Sequence, residues 1–296
     1  MPRPVQYDGL SCLELSLAFR RSYWTRHPDE PDAGLLWPGM RSLLSQGLAG
    51  GLSRVFGAVS EGPSPLVASR VIFSRSPTRR DVWYYGNFST HPDFRRQGLG
   101  ERALAAGLEA LARDGAQGCG CFIADDNLPS AALARKLGFR RLPVVRIALA
   151  SDSWQGDPAR ADQLTPVVGQ GAAGHPRWLP LLQGLGIAET EASVVLADEL
   201  NRLRPLLPWR QTPDRLMLLA HDSGSAAFMR VGAHATVVVL GTGLADHEQG
   251  WLVATAVHLA GPRRPLFVFG ARQDLAGWMA PASSARAFDI YWKALR

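Results

Sequence analysis

Residues 90–104, THPDFRRQGLGERAL, set a Pro turn, two arginines and a Gly-x-Gly directly before a helical pattern. The first turn of a helix carries backbone N–H groups without intrahelical partners, and the helix dipole adds partial positive charge there. Gly98 and Gly100 remove side chains that would keep a ligand off those amides. Arg95 and Arg96 add formal charge. Such an assembly suits an anion with several oxygens, a diphosphate above all. A lone Gly-x-Gly fits equally a glycine-assisted turn with solvated arginines. It is not the dinucleotide fingerprint, which needs a third glycine and an acidic residue about twenty positions on. No Gly-Lys-Ser/Thr follows, so it is not a Walker loop either.

The elements that position this stretch can be read from the pattern around it. Strands are expected at 52–60, 66–75 and 82–90, separated by EGPSP and SRSPTRR. The third strand has Gly86 in its interior, which marks a bulge or a close backbone approach. The helix after the glycines, ERALAAGLEALARDG, aligns Leu104, Leu108 and Leu111 on one face, with Gly115 past its end. A short strand at 119–125 follows. A helix then runs over NLPSAALARKLGF, with Asn127 and Ser130 near its start and Gly138 beyond it, and a strand at 144–150 closes the half. Upstream, residues 9–24 and WPGMRSLLSQGLAGG read as two helices, the second closed by glycines.

Residues 151–186 lose periodicity and read as a linker with an irregular entry to a second domain. Beyond it the order of elements returns: a helix at ETEASVVLADELNRL, strands at DRLMLLAHD, SAAFMRVG and HATVVVLG, a helix at DHEQGWLVATAVHLAG, a strand at RPLFVFGA, a short helix at QDLAGWMAPA and a final strand at RAFDIYWKAL. Helix, three strands, helix, strand, helix, strand occurs twice, so a duplication is the simplest account. The expected division is 1–150, 151–186 and 187–296.

The 296 residues are 46% hydrophobic, enough for two cores. No apolar run has membrane-span length, and MPRPVQYDG lacks a secretory pattern, so a cytoplasmic chain is expected. Cys12, Cys119 and Cys121 are too few for a disulfide framework. Cys119 and Cys121 share a strand face but have no further ligands nearby, so buried thiols are expected and no metal. The formal charge is +6, and all of the excess lies in residues 1–150. A basic half suits an anionic ligand.

Arg95-x-x-Gly98-x-Gly100, preceded by His91-Pro92-Asp93-Phe94, resembles the pyrophosphate motif of the GNAT superfamily of acyl-CoA N-acyltransferases. Asn127-Leu128-Pro129-Ser130 and Leu137-Gly138-Phe139 resemble its Asn-x-x-Ala…Leu-Gly-Phe segment at the usual spacing. The resemblance covers roughly residues 8–150, and the second half looks like a degenerate copy. It implies an α/β (α+β) protein of two GNAT-like domains, each a mixed, splayed central sheet flanked by helices. It implies acetyl-CoA where the fourth and fifth strands part. Phe88, Ser89 and Thr90 would pair with the pantetheine, and amides around Arg95, Arg96, Gln97, Gly98, Leu99, Gly100 and Glu101 would hold the pyrophosphate. Asn127 would lie beside the pantetheine arm. The acceptor would be a small-molecule or peptide amine attacking the thioester directly, and the protein a monomer or homodimer.

The sequence departs from that pattern in two places. Many relatives have a Tyr where Ala134 stands, and a Glu on the strand that here reads Val82-Trp83-Tyr84-Tyr85-Gly86-Asn87. The thiolate's acid and the amine's base are thus unassigned. Tyr84 or Tyr85 could relay a proton or equally be core, and His91 reads as a solvated turn residue. In the second half, Gly241-Thr242-Gly243 lacks a preceding Arg or Gln, and Asp246 and Glu248 would repel a diphosphate. His221-Asp222-Ser223 has the residue types of a hydrolase triad but no nucleophile elbow, and reads as a turn. Trp24, Trp37, Trp83 and Tyr85 could wall an acceptor site or be core. The rival classes are a non-catalytic acyl-CoA-binding or interaction protein and, last, a nucleic-acid module.

Overall fold

The computed structural model describes residues 4–7, 48, 50–59, 67–76, 78–149, 179–195, 215–220, 226–231, 236–245, 248–250, 252–253, 266–276 and 286–295. The expected helix at 9–24, Trp24, Trp37 and His221-Asp222-Ser223 lie outside these. Contacts divide the chain into two compact units, Met1–Cys121 with Lys293–Arg296, and Phe122–Trp292.

In the first unit the strands run in order β1 (Pro4–Tyr7), β2 (Ser53–Val59), β3 (Val67–Arg75), β4 (Val82–Thr90) and β5 (Gly118–Ala124). The first four are antiparallel neighbours, and β5 lies parallel to β4. β1 was not expected from the sequence. It begins at a proline, which lacks the N–H a central ladder needs, and it forms the unit's edge. The bulge expected at Gly86 is present. Ile72 pairs with Gly86 and Arg70 with Ser89, so Asn87 and Phe88 together oppose Val71 alone.

Helix α1 (Leu99–Arg113) returns the chain from β4 to β5. Its expected stripe is the buried one: Leu104, Leu108 and Leu111 are all enclosed, with Leu99. Gly107 sits on the same side, and a Cβ there would meet the rings of Phe73 and Phe56. The helix backbone therefore rests directly on β2 and β3. The end is a Schellman closure, with Ala116 N–H on Leu111 O and Gly115 at φ 80°. Helix α2 (Leu128–Lys136) closes the same way through Gly138, at φ 83°, with Phe139 N–H on Ala134 O.

In the second unit β6 (Arg140–Leu149) lies between β11 (Arg286–Ala294) and β10 (Leu266–Ala271), antiparallel to both. Next come β9 (Thr236–Leu240), parallel to β10, then β8 (Ala226–Val231) and β7 (Arg215–Ala220), antiparallel. The run of β7, β8 and β9 antiparallel with β10 parallel to β9 matches the run of β2, β3, β4 and β5 in the first unit, which has β1 in addition. β6 starts four residues earlier than expected. Pro143 hid its beginning, and the β6–β11 register is irregular at that level. The core gathers Val237–Leu240, Leu266–Phe269, Val145, Ile147 and Ile290.

One expectation in this half is corrected. Within the stretch read as irregular, Leu179–Gly184 forms helix α3, followed by α4 (Glu189–Val195). Pro180 lies in the first turn, where its missing N–H is harmless, and Leu182 is buried. Of the short helix expected at QDLAGWMAPA, residues 273–276 are described, and they form a hydrogen-bonded turn. Asp274 and Leu275 both donate to Ala271 O, and Ala276 donates to Gln273 O. Of the helix expected at 246–261, residues 248–250 and 252–253 are described, and all are helical.

Candidate functional site

β4 and β5 are paired only from Val82↔Gly118 to Tyr85↔Cys121. β4 runs on to Thr90 without β5 beside it, so the sheet parts at the level of the bulge. His91 N–H bonds Ala68 O on β3 at 2.8 Å. Backbone groups alternate in direction along a strand, so Ser89 also turns its own toward β3. Its carbonyl accepts from Ser69 Oγ at 3.2 Å. The intervening Thr90 turns its backbone away from β3, and its carbonyl accepts from Arg95 Nε at 3.4 Å. Of these two, Thr90 rather than Ser89 offers backbone to the parted side.

After β4, a 3-10 turn (Pro92–Phe94) leads into the arginine–glycine loop. Arg96 is left-handed at φ 62°, the one described non-glycine residue that is, and Gly98 is left-handed at φ 71°. Gly98 is the N-cap of α1 and makes no side-chain cap, and the first helical bond is Arg102 N–H to Gly98 O. Gly98 itself therefore brings no side chain to the amides of the first turn. A Cβ on Gly98 would meet nothing within 4 Å, so the space over the helix end is open. Gly100 differs. A Cβ there would stand 2.8 Å from Phe88 Cζ and 3.1 Å from Thr90 Oγ1. This glycine is needed for α1 to approach β4. Leu99, placed among the cradle residues by the resemblance, sends its side chain into the core against Ala58 and Ala68, so only its backbone can serve.

The loop is braced by side chains. Gln97 Nε2 donates to Asp93 O (3.3 Å), and Arg102 donates to Gln97 O (2.9 Å). Arg95, Arg96 and Gln97 are exposed, while Glu101 and Arg102 are half-buried. His91, expected to be a solvated turn residue, is buried at 4% exposure.

Tyr84 and Tyr85 point to opposite faces of β4 and both are buried. Tyr85 packs at a tilt against Phe73 (5.9 Å) and edge-on against Phe88 (6.3 Å), and hydrogen-bonds the Cys121 thiol. Trp83 is likewise core, with the guanidinium groups of Arg54 and Arg75 over its ring. Cys119 and Cys121 are free, fully buried thiols. Burial pushes Cys119 well above its ordinary value and raises Cys121 to about 12, the bond from Tyr85 opposing the latter shift. Among the described residues no three His, Cys, Asp or Glu side chains gather in a metal-binding group.

In the second unit, Asn127 caps α2, its Oδ1 accepting the Ser130 N–H at 3.2 Å. Ala134 is fully buried. At the glycine turn after β9, Gly243 is left-handed, and the Ala245 N–H bonds Glu248 Oε2 at 2.7 Å. The chain's own carboxylate thus occupies an amide at that helix start.

Residues 19–139 match the model of the acetyltransferase (GNAT) family. What the match supports is acyl transfer in general. No curated protein matches the chain in sequence. Among solved structures, a GCN5-related N-acetyltransferase from Sphaerobacter thermophilus is similar over 99% of this chain and 96% of its own, at 15% identity and a TM-score of 0.51. A tandem GNAT protein from the clavulanic acid biosynthesis pathway is similar over 100% of this chain and 99% of its own, at 14% identity and a TM-score of 0.50. These likenesses show the fold: a mixed α/β chain with a splayed open sheet and flanking helices. Among the described residues no helix is long and apolar enough to cross a membrane.

Proposed function

We propose that the protein is an N-acetyltransferase that moves an acetyl group from acetyl-CoA to an amine. The observation that carries this reading is the start of α1: a helix end without a side-chain cap, opened by left-handed Gly98, beside the place where β4 leaves β5. Amides from Arg96 to Glu101 would hold the diphosphate, with Arg95 and Arg96 supplying charge. The pantetheine arm would run along the backbone of Phe88 and Thr90 on β4, and Asn127 is proposed as a further pantetheine contact. Asn127 already accepts the Ser130 N–H through Oδ1 at the helix cap, and its amide nitrogen can donate there.

The amine's lone pair attacks the thioester carbonyl, the C–S bond breaks, and the electron pair leaves with the CoA sulfur. The amine's proton goes to water or a relay, and the thiolate takes one in turn. β4 carries no carboxylate, and the buried Ala134 supplies no hydroxyl, so no single side chain of strong acid or base character is assigned. A CoA thiolate leaves readily enough for this to be tolerated.

In this reading residues 1–150 form the acetyltransferase domain, 151–186 the connection, and 187–296 a second domain of the same descent. The repeated strand pattern supports the common descent. The bond from Ala245 N–H to Glu248 supports loss of CoA binding there, because a carboxylate already sits where the diphosphate would. The protein would act in the cytoplasm, as a monomer or homodimer, on a small-molecule or peptide amine.

The missing Tyr and Glu favour one alternative, a protein that binds acyl-CoA without turnover. Calorimetry with CoA and acetyl-CoA, followed by a thiol-release assay over a panel of amines, tests both. Binding with turnover supports the enzyme, and binding with no release on any amine supports the alternative. Absence of binding overturns both.

A further inference from the structure

His91 stands where β4 turns into the arginine–glycine loop, and its ring is enclosed against Phe94, with centroids 5.7 Å apart. Its backbone is tied on both sides, the amide to Ala68 O (2.8 Å) and the carbonyl to Phe94 N–H (2.9 Å). The imidazole makes a further tie. Nδ1 lies 3.3 Å from the Asp93 amide nitrogen and accepts its proton. The same Nδ1 is 3.6 Å from Asp93 Oδ2, but one atom cannot accept from the amide and donate to the carboxylate together. The amide contact is the shorter, and in it Nδ1 is the acceptor.

Asp93 is thereby held at its amide by His91 and at its carbonyl by Gln97 Nε2. Gln97 is held at its own carbonyl by Arg102. That carbonyl belongs to the peptide unit whose N–H is the Gly98 amide, and peptide units are planar. Fixing the oxygen therefore fixes the direction of the N–H. A continuous set of contacts thus runs from a buried imidazole to the first glycine of the open helix end.

We infer that His91 is a positioning residue for the diphosphate cradle, acting through Nδ1 as the acceptor that sets the Asp93 amide. The inference rests on the CoA-binding reading above. It concerns an acceptor atom, not ring volume, and this separates it from a filler role. Asn places its carbonyl oxygen at the δ position where Nδ1 stands, whereas Gln places it one atom further out. Phe fills the space with no acceptor.

The test is titration of CoA into the full-length wild type and the His91→Asn, His91→Gln and His91→Phe variants, each with a melting curve. His91→Gln and His91→Phe should bind CoA about tenfold more weakly, and His91→Asn should stay within about threefold of wild type. In a thiol-release assay the loss should lie in KM for acetyl-CoA, with kcat at saturation retained. Equal affinity in wild type and His91→Gln, or a His91→Asn variant as weak as His91→Gln, overturns the inference. Should His91→Phe fail to fold, the Asn and Gln pair decides alone. A wild-type chain that binds no CoA overturns the underlying reading, an outcome distinct from wild-type binding with indifferent variants.

Discussion

Gly98 and Gly100 stand two residues apart in opposite surroundings, and their substitutions should separate binding from folding. Asp at position 98 enters open space in a left-handed conformation that Asp tolerates, so the fold should survive. Its charge would face the diphosphate, and CoA affinity should fall about a hundredfold or more in a normally melting protein. Gly100→Ala instead drives a Cβ into Phe88 and should cost about 1–3 kcal/mol of stability, seen as a lowered melting temperature. Unchanged CoA affinity in a folded Gly98→Asp variant would show that the cradle is assigned wrongly. For the tyrosines, the packing of Tyr85 between two Phe rings argues for a core role. Tyr84→Phe and Tyr85→Phe should each slow turnover about tenfold or less, no more than about 1.4 kcal/mol of barrier. A thousandfold loss with CoA affinity intact would make that tyrosine the missing acid or base.

At the scale of elements, β5 brings two thiols into the core beside β4, and their protonation is linked to stability. The unfolded Cys121 titrates near its ordinary value of 9.0, while the folded one does so at about 12. Between those values the unfolded chain has lost the proton that the folded chain keeps, so stability is full below about 9 and declines as pH rises toward 12. The slope for one such thiol is about 1.4 kcal/mol per pH unit. Cys119 shifts in the same direction. Melting temperatures at pH 8 and pH 10.5 should therefore fall less in Cys121→Ala than in wild type, and equal falls would refute the linkage. Much at this scale was legible beforehand. The leucine stripe of α1, the bulge at Gly86 and the glycine closures of both long helices follow from local chemistry that no tertiary contact overrides. The strand at Pro4–Tyr7 and the helix at Leu179–Gly184 were hidden by prolines, which read as breakers but are harmless on an edge and in a first helical turn.

At the scale of the whole molecule, the last residues of the chain, Lys293–Arg296, belong to the first compact unit. Leu295 is buried there, and its amide bonds Gln117 O at 3.0 Å, at the start of β5. A chain ended at Trp292 should lose about 2 kcal/mol from the first unit, with a melting temperature several degrees lower by scanning calorimetry. An unchanged melt would show that the terminal residues contribute nothing to that unit.

The sequence by itself determined the glycine turn and flanking arginines of residues 90–101 and the helix that follows, because each rests on residue type and short spacing. Gly-x-Gly and a flanking arginine specify open amides and charge wherever they begin a helix. What surrounds them was decided by the fold. Only the register of β3 and β4 shows that Ser89 turns its backbone inward while Thr90 does not. Only packing buries His91, makes Gly100 a matter of clearance and leaves Gly98 open. The return of the C-terminal residues to Gln117 joins positions far apart in the chain, and no local pattern encodes a hydrogen bond of that span. Periodicity reports which face of an element is apolar, and the partner that covers it is selected by the whole chain folding at once.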